Sequence, residues 1–392
     1  MRTLSSTVNN QSVTWRDKKR YLWLLGVVVP LLPFGAARES ARFGMEIFWW
    51  LGPIWVLLLI PLLDRIFGED TSNPPDWAVE PLAKDRFYRW CTYLFLPVQF
   101  AGLIFACHVV TTQNLSWFAY LGFALTIGTV AGVGINTAHE LGHKKPKLER
   151  WLARVALAQT GYGHFYVEHN RGHHTRVATP EDPASSRLGE SFWAFLPRSV
   201  WGGVRSGWEL EAKRLRHQGS RVWSIHNDLL NAWALSVLLF GSLLAVFGLR
   251  VLPLLIIQAV FGFSLLEVVN YLEHYGLLRQ KNAEGRYERC QPRHSWNSNH
   301  VASNLLLYQL ERHSDHHAHP TRRFQTLRHF EEAPQLPSGY GGMLGLAYFP
   351  PIWRRVMDHR VLEQYGGDVT LANIQPSKRK KILAKYAAAA EQ

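Results

Sequence analysis

Six stretches of the chain are long and apolar enough to cross a bilayer and carry no lysine or arginine. They lie at about 21–36, 45–63, 91–111, 115–137, 229–249 and 251–273. A spanning helix needs roughly 20 such residues for a ~30 Å hydrocarbon core. The first is the shortest and is interrupted by Pro30 and Pro33. Between and after the runs lie two polar stretches, 138–228 and 274–392, which the pattern assigns to one water-facing cap. They dilute the mean hydropathy to −0.10. The expected fold is an all-α polytopic membrane protein with about six transmembrane helices. Its boundaries read 1–20 (basic arm), 21–137 (spans one to four), 138–228 (first part of the cap), 229–273 (spans five and six) and 274–392 (second part of the cap and tail).

Shorter patterns fill in the cap. Residues 1–20 read as a flexible basic arm, and 67–87, with Asn73-Pro74-Pro75, as a loop between spans two and three. Residues 148–168 read as a helix at the interface, 175–191 as a loop, and 203–228 as an amphipathic surface helix. The end, Ala387–Ala390 followed by Glu-Gln, is low-complexity.

Charge orients this arrangement. With six spans both termini share a side, and the loops of the other side hold only Arg38, Arg42 and Arg250 of 43 basic residues. The positive-inside rule then makes the terminal side, and the cap, cytoplasmic. The first 20 residues are polar and end in a charged run, so no cleavable signal peptide is expected. A net charge of +13 follows from this bias and from anionic lipid, and does not call for nucleic acid. The three cysteines, Cys91, Cys107 and Cys290, are too few and scattered for a disulfide framework or an iron–sulfur site.

Candidate chemistry sits in histidines on the cap side: His139 and His143; His169, His173 and His174; His274; and His313, His316 and His317. Offsets of three to five residues bring imidazoles onto one helical face, and imidazole is the commonest transition-metal ligand. In each triple cluster two histidines share a face while the adjacent one points about 100° away. That splay suits two metal ions, and nine ligands divided as four and five leave each ion an open position. The run His139-Glu140-Leu141-Gly142-His143 alone would suggest a zinc peptidase, possible within a membrane. Such a site needs three protein ligands and leaves the two triple clusters unexplained. Nitrogen ligation without cysteine favours iron, copper or zinc.

His274 leaves span six at the membrane level where His139 leaves span four. Glu267 and Asn270 lie one to two turns earlier, and a carboxylate inside a span is usually functional. Glu140, Glu168, Glu273 and Asp315 each adjoin a cluster histidine. These six are the candidates to orient imidazoles from behind. His164, His294 and His319 also lie near the clusters.

These runs resemble the integral-membrane, histidine-rich di-iron hydroxylases and desaturases, and within them the bacterial alkane 1-monooxygenases. The matches are HELGHK at 139–144, EHNRGHH at 168–174, LERHSDHHAHPTRR at 310–323 and NYLEHYGLLRQ at 270–280, with DKKRYLW at 17–23 and PLLDRIFGED at 61–70. The last-but-two motif separates alkane hydroxylases from desaturases. The resemblance implies two iron ions on the nine histidines, O2 activation, and hydroxylation of the terminal methyl of medium-length alkanes. It also implies rubredoxin as electron donor, an NAD(P)H-dependent rubredoxin reductase upstream, and the bacterial inner membrane as location. The chain has neither a dinucleotide fingerprint nor a cysteine-bound cluster, which agrees with electrons arriving from outside.

An alkane offers no polar handle, so its site is expected to be an apolar tube in the spans. Counting back by turns from His139 gives Ile135 and Gly132, and from His274 gives Leu266 and Phe263. Trp55, deep in span two, is the candidate to close the far end. Another oxygenase of the same superfamily (an aryl-methyl hydroxylase or desaturase), and more remotely a protease or metal transporter, are the competing readings.

Overall fold

The structure is a computed structural model that describes residues 2–8 and 10–390. It is a helical, polytopic membrane protein. Among the described residues six helices are long and apolar enough to cross a membrane: Arg20–Phe43, Glu46–Phe67, Arg86–Thr112, Trp117–Gly142, Asp228–Phe247 and Leu249–His274. The fourth is 78% buried and the second and fifth only 22%, so the fourth is the axle and the other two face outward.

Spans four and six form the closest pair because small residues let their backbones touch. A Cβ on Gly132 would come 3.1 Å from Gly262 O, and one on Gly128 would come 2.9 Å from Gln258 O. This is the spacing of small residues by which helices associate in lipid, where no hydrophobic force separates helix from tail. His139 lies in the last turn of span four and His274 ends span six.

Spans one and two depart furthest from regular α geometry. The first is a 3-10 helix over Arg20–Leu31 before becoming α-helical at Leu32–Phe43. The prolines that interrupt it lack the N–H an α-helix would use. A 3-10 helix rises about 2.0 Å per residue, so a short apolar stretch still crosses. Span two contains a π segment at Trp55–Leu59, a wider turn that re-aims Trp55 and Val56.

The N-terminal residues are not the flexible arm expected. Arg2–Val8 and Gln11–Asp17 pair as an antiparallel hairpin, with Leu4 opposite Trp15 and Ser6 opposite Val13. Leu4 and Trp15 pack against the cluster around Trp23 and Tyr88. Asn10, at φ 62°, makes the turn in the left-handed region that asparagine tolerates.

The polar stretches knit together over the ends of spans four and six. Arg279 N donates to Ala178 O (2.8 Å), Gly276 N to Ser186 O (3.1 Å) and Leu188 N to Asn373 O (2.6 Å). The amphipathic helix expected at 203–228 starts earlier and ends earlier, at Phe192–His217. Ser191 caps its first turn by accepting from Ala194 N. A closing helix, Arg379–Ala390, takes in the start of the low-complexity end; Glu391 and Gln392 lie outside the described residues.

Candidate metal centre

The nine histidines meet in two groups. His139, His143, His169, His174 and His316 form one, and His173, His274, His313 and His317 the other; within each group one donor atom per residue lies within 4.8 Å of every other. One first-row ion, ligated by imidazole at about 2.0–2.1 Å, draws together a cluster of this size after slight contraction. Close Nε2–Nε2 approaches run through both groups: His174 to His169 at 3.2 Å, His316 to His174 at 3.1 Å, and His317 to His313 at 2.8 Å. Within the four-histidine group His173 and His317 also approach through Nε2, at 3.3 Å. Among the described residues, Nε2 of His139 and of His143 and both ring nitrogens of His274 are buried without a hydrogen-bond partner. Buried polar atoms are normally paired, so these are atoms arranged for an ion. The donor set fits a first-row transition metal, and no cysteine belongs to either group.

Local geometry explains which histidine joins which group. His139 ends span four and His143 follows one turn later. His313 and His317, four apart on the helix His313–Ala318, share a face and a group, leaving His316 to the other. The second cluster breaks this rule. Residues His169–His173 form a π segment, in which the hydrogen bond reaches five residues rather than four. His169 therefore pairs with His174, and His173 crosses to the four-histidine group.

Burial keeps the rings neutral. His143, His169, His174, His313, His316 and His317 are all held well below the usual histidine range, first by desolvation and then by neighbouring histidines. His173 goes the other way. Burial disfavours its cation, but the carboxylates of Asp182, Glu168 and Glu267, Asp182 foremost, together raise it.

The residues expected behind the ligands have varied partners. Glu273 meets a cluster histidine, its Oε2 3.1 Å from His313 Nε2, while its Oε1 accepts from Tyr340 OH at 2.7 Å. Glu140 instead pairs with Lys144 (3.0 Å) and accepts from Phe324 N (3.3 Å). Glu168 is held by Arg176 (3.0 Å) and Ser206 (3.2 Å). Asp315 gathers His319, Arg322 and Arg328 N, fixing the chain after the third cluster. Glu267 accepts from Tyr162 OH (2.6 Å) and Asn270 Nδ2 (3.3 Å). Of the three nearby histidines, His164 stacks edge-on with Tyr162, His294 lies 3.2 Å from Glu288, and His319 bonds Asp315.

The carboxylate that sequence reasoning missed is Asp182. Its Oδ2 lies 2.9 Å from His173 Nδ1 and accepts from Ser185 Oγ at 2.6 Å. It sits in the 175–191 loop, where helical spacing says nothing about direction.

Beside the histidines runs an almost wholly apolar cavity of about 650 Å³, counting space open to its surroundings. Gly132, Leu266 and Trp55 line it as expected, but Ile135 and Phe263 do not. Ile135 is buried in the core, and Phe263 stacks on Tyr162 with centroids 5.1 Å apart. Alongside Gly132 and Leu266 the lining takes Val133 and Asn136 on span four and Leu265 and Val269 on span six. Leu306, Leu307, Leu310, Gly341 and Leu344, all from the cap sequence, complete the wall.

Residues 115–346 match the fatty acid desaturase family. The chain is 47% identical over 373 residues to an alkane 1-monooxygenase of Acinetobacter baylyi, covering 94% of this chain and 91% of that protein. It is 47% identical over 382 residues to an alkane 1-monooxygenase of Pseudomonas putida, covering 97% and 95%. A xylene/toluene monooxygenase hydroxylase component of Pseudomonas putida is 27% identical over 309 residues, covering 77% and 81%.

Proposed function

The chain belongs to the alkane 1-monooxygenase family, and from that premise we propose that it hydroxylates the terminal methyl of medium-length alkanes. The product is the 1-alkanol, the oxygen comes from O2, and the electrons come from rubredoxin, itself reduced by an NAD(P)H-dependent reductase. One alkane, one O2, two electrons and two protons balance to one alcohol and one water. In this reading His139, His143, His169, His174 and His316 hold one iron, and His173, His274, His313 and His317 the other. The bound ions would supply the redox chemistry that activates O2.

The observation that carries the reading is the approach of an apolar cavity to the five-histidine group. A small chamber bordered by His139 and His316 shares Asn136 and Leu310 with the cavity wall. The rest of the chain's work follows from that. Val133, Leu265, Leu266 and Val269 give an alkane the shape complementarity that it needs in place of hydrogen bonds. They also exclude water from the reacting end of the chain. Buried neutral imidazoles present nitrogen lone pairs without an added electrostatic cost.

The positive-inside distribution supports a site on the cytoplasmic face of a bacterial inner membrane. The same basic face would attract an acidic electron carrier.

Purified protein supplied with rubredoxin, its reductase, NADH and octane should give 1-octanol, with about two irons per chain by metal analysis. Turnover with no bound transition metal would overturn the reading. Conversion of xylene but not octane would move the assignment to the aryl-methyl hydroxylases, the class named by the more distant relative.

A further inference from the structure

Terminal hydroxylation poses a chemical problem that the apolar wall alone does not solve. The C–H bonds of a terminal methyl are stronger than those of the methylene beside it, so an oxidant with equal access to both would attack the methylene. Selectivity for the end must be geometric. Two residues occur in the walls of both the long cavity and the histidine chamber: Asn136 and Leu310. Both are buried, at 5% and 8% exposure. From these shared positions we propose that Asn136 and Leu310 form a throat that admits the terminal methyl and holds the second carbon back. The inference rests on the alkane-hydroxylase reading above.

The throat is built to be stiff. Asn136 Nδ2 donates to Leu307 O at 2.7 Å, tying span four to the cap segment opposite. Leu310 follows two residues with left-handed backbone, Tyr308 at φ 53° and Gln309 at φ 58°. Neither is glycine, and such conformations persist only where surroundings over-determine them. Here Tyr308 OH donates to Cys91 O (3.0 Å), Gln309 N to Asn304 O (2.7 Å) and Gln309 Nε2 to Leu327 O (2.8 Å). The contorted pair turns the chain so that Leu310 faces span four. A rigid pair of walls can discriminate between carbons one bond apart, and a compliant one cannot.

The experiment reads the ratio of 2-octanol to 1-octanol formed by the holoenzyme with its electron donors. This ratio does not depend on how much of a variant folds. Leu310→Ala should raise it by about tenfold, the scale on which one methylene is discriminated in an apolar site. Asn136→Ala, which unties the throat from Leu307, should raise it in the same direction, and Leu310→Met should restore it. Leu310→Val, a smaller truncation, serves where the alanine variant yields no product. Leu344→Ala, elsewhere on the cavity wall, should alter KM and leave the ratio unchanged. An unchanged ratio in both Leu310→Val and Asn136→Ala, with wild type making 1-octanol, would overturn the throat alone. Wild type making no octanol would instead overturn the function on which the inference rests.

Discussion

Asp182 and His173 are joined through Oδ2 and Nδ1 at 2.9 Å, both side chains essentially buried. The carboxylate accepts the Nδ1 proton, fixing the tautomer in which Nε2 faces the four-histidine group. Partners of this kind are worth 10–100-fold in metal affinity. Asp182→Ala should therefore lose metal to a chelator at about 10–100-fold lower competitor concentration, and Asp182→Asn should lie between it and wild type. Equal retention in all three would show that the pair does not orient the ligand.

Lys144 and Glu140 make a buried ion pair at the end of span four, with side chains 2% and 8% exposed. Lys144 Nζ also donates to Arg322 O at 2.6 Å. Removing one partner of such a pair costs about 3–5 kcal/mol, because the other charge stays buried alone. Lys144→Ala should lower the melting temperature in detergent clearly, and Glu140→Gln combined with Lys144→Met should lower it less. A single variant as stable as wild type would show that Glu140 is not left charged.

Trp55 lines the cavity, and its Nε1 is buried with no partner among the described residues. Nothing polar anchors it, so its role there is volume. Trp55→Ser should shift the preferred substrates toward longer alkanes, read as relative rates across a chain-length series. A profile identical to wild type would remove Trp55 as a boundary.

Acidification should act on the cluster in two ways. For His143, His169, His174, His313, His316 and His317 the folded pKa lies below the unfolded value of about 6.5. Below that pH the unfolded chain binds more protons, so these residues make the apoprotein progressively less stable as pH falls, and contribute no pH dependence above it. His173, raised by Asp182, contributes in the opposite sense. The six outnumber it, so the apoprotein should melt at lower temperature at pH 5.5 than at pH 7.5. Metal should also leave, since ligand imidazoles must be neutral. Full metal content at pH 4, or a melting temperature flat between the two pH values, would contradict this account.

How much of this was legible follows from what a linear pattern records. The spans and the nine histidines were, because length, hydropathy and three-to-five-residue offsets are local properties. The face of span four was not, since one turn back from His139 is either Ile135 or Asn136, and only packing chooses Asn136. The π segment at His169–His173 shifts phase invisibly and exchanges His173 for His174. Asp182 approaches from a loop, and Leu310 and Leu344 reach the cavity from polar stretches, so their placement needed the tertiary structure. The hairpin at the N-terminus was masked by its serine- and threonine-rich polarity, though Leu4, Val13 and Trp15 alternate as strand residues should.

Each histidine group draws members from either side of spans five and six: His139 and His316 in one, His173 and His317 in the other. Neither group can exist while the ribosome is still upstream of residue 317, or before that last pair of helices has entered the lipid. Maturation is therefore ordered, with insertion first and metal capture afterwards. A chain truncated a few residues short of His316 would keep its spans but leave both groups incomplete.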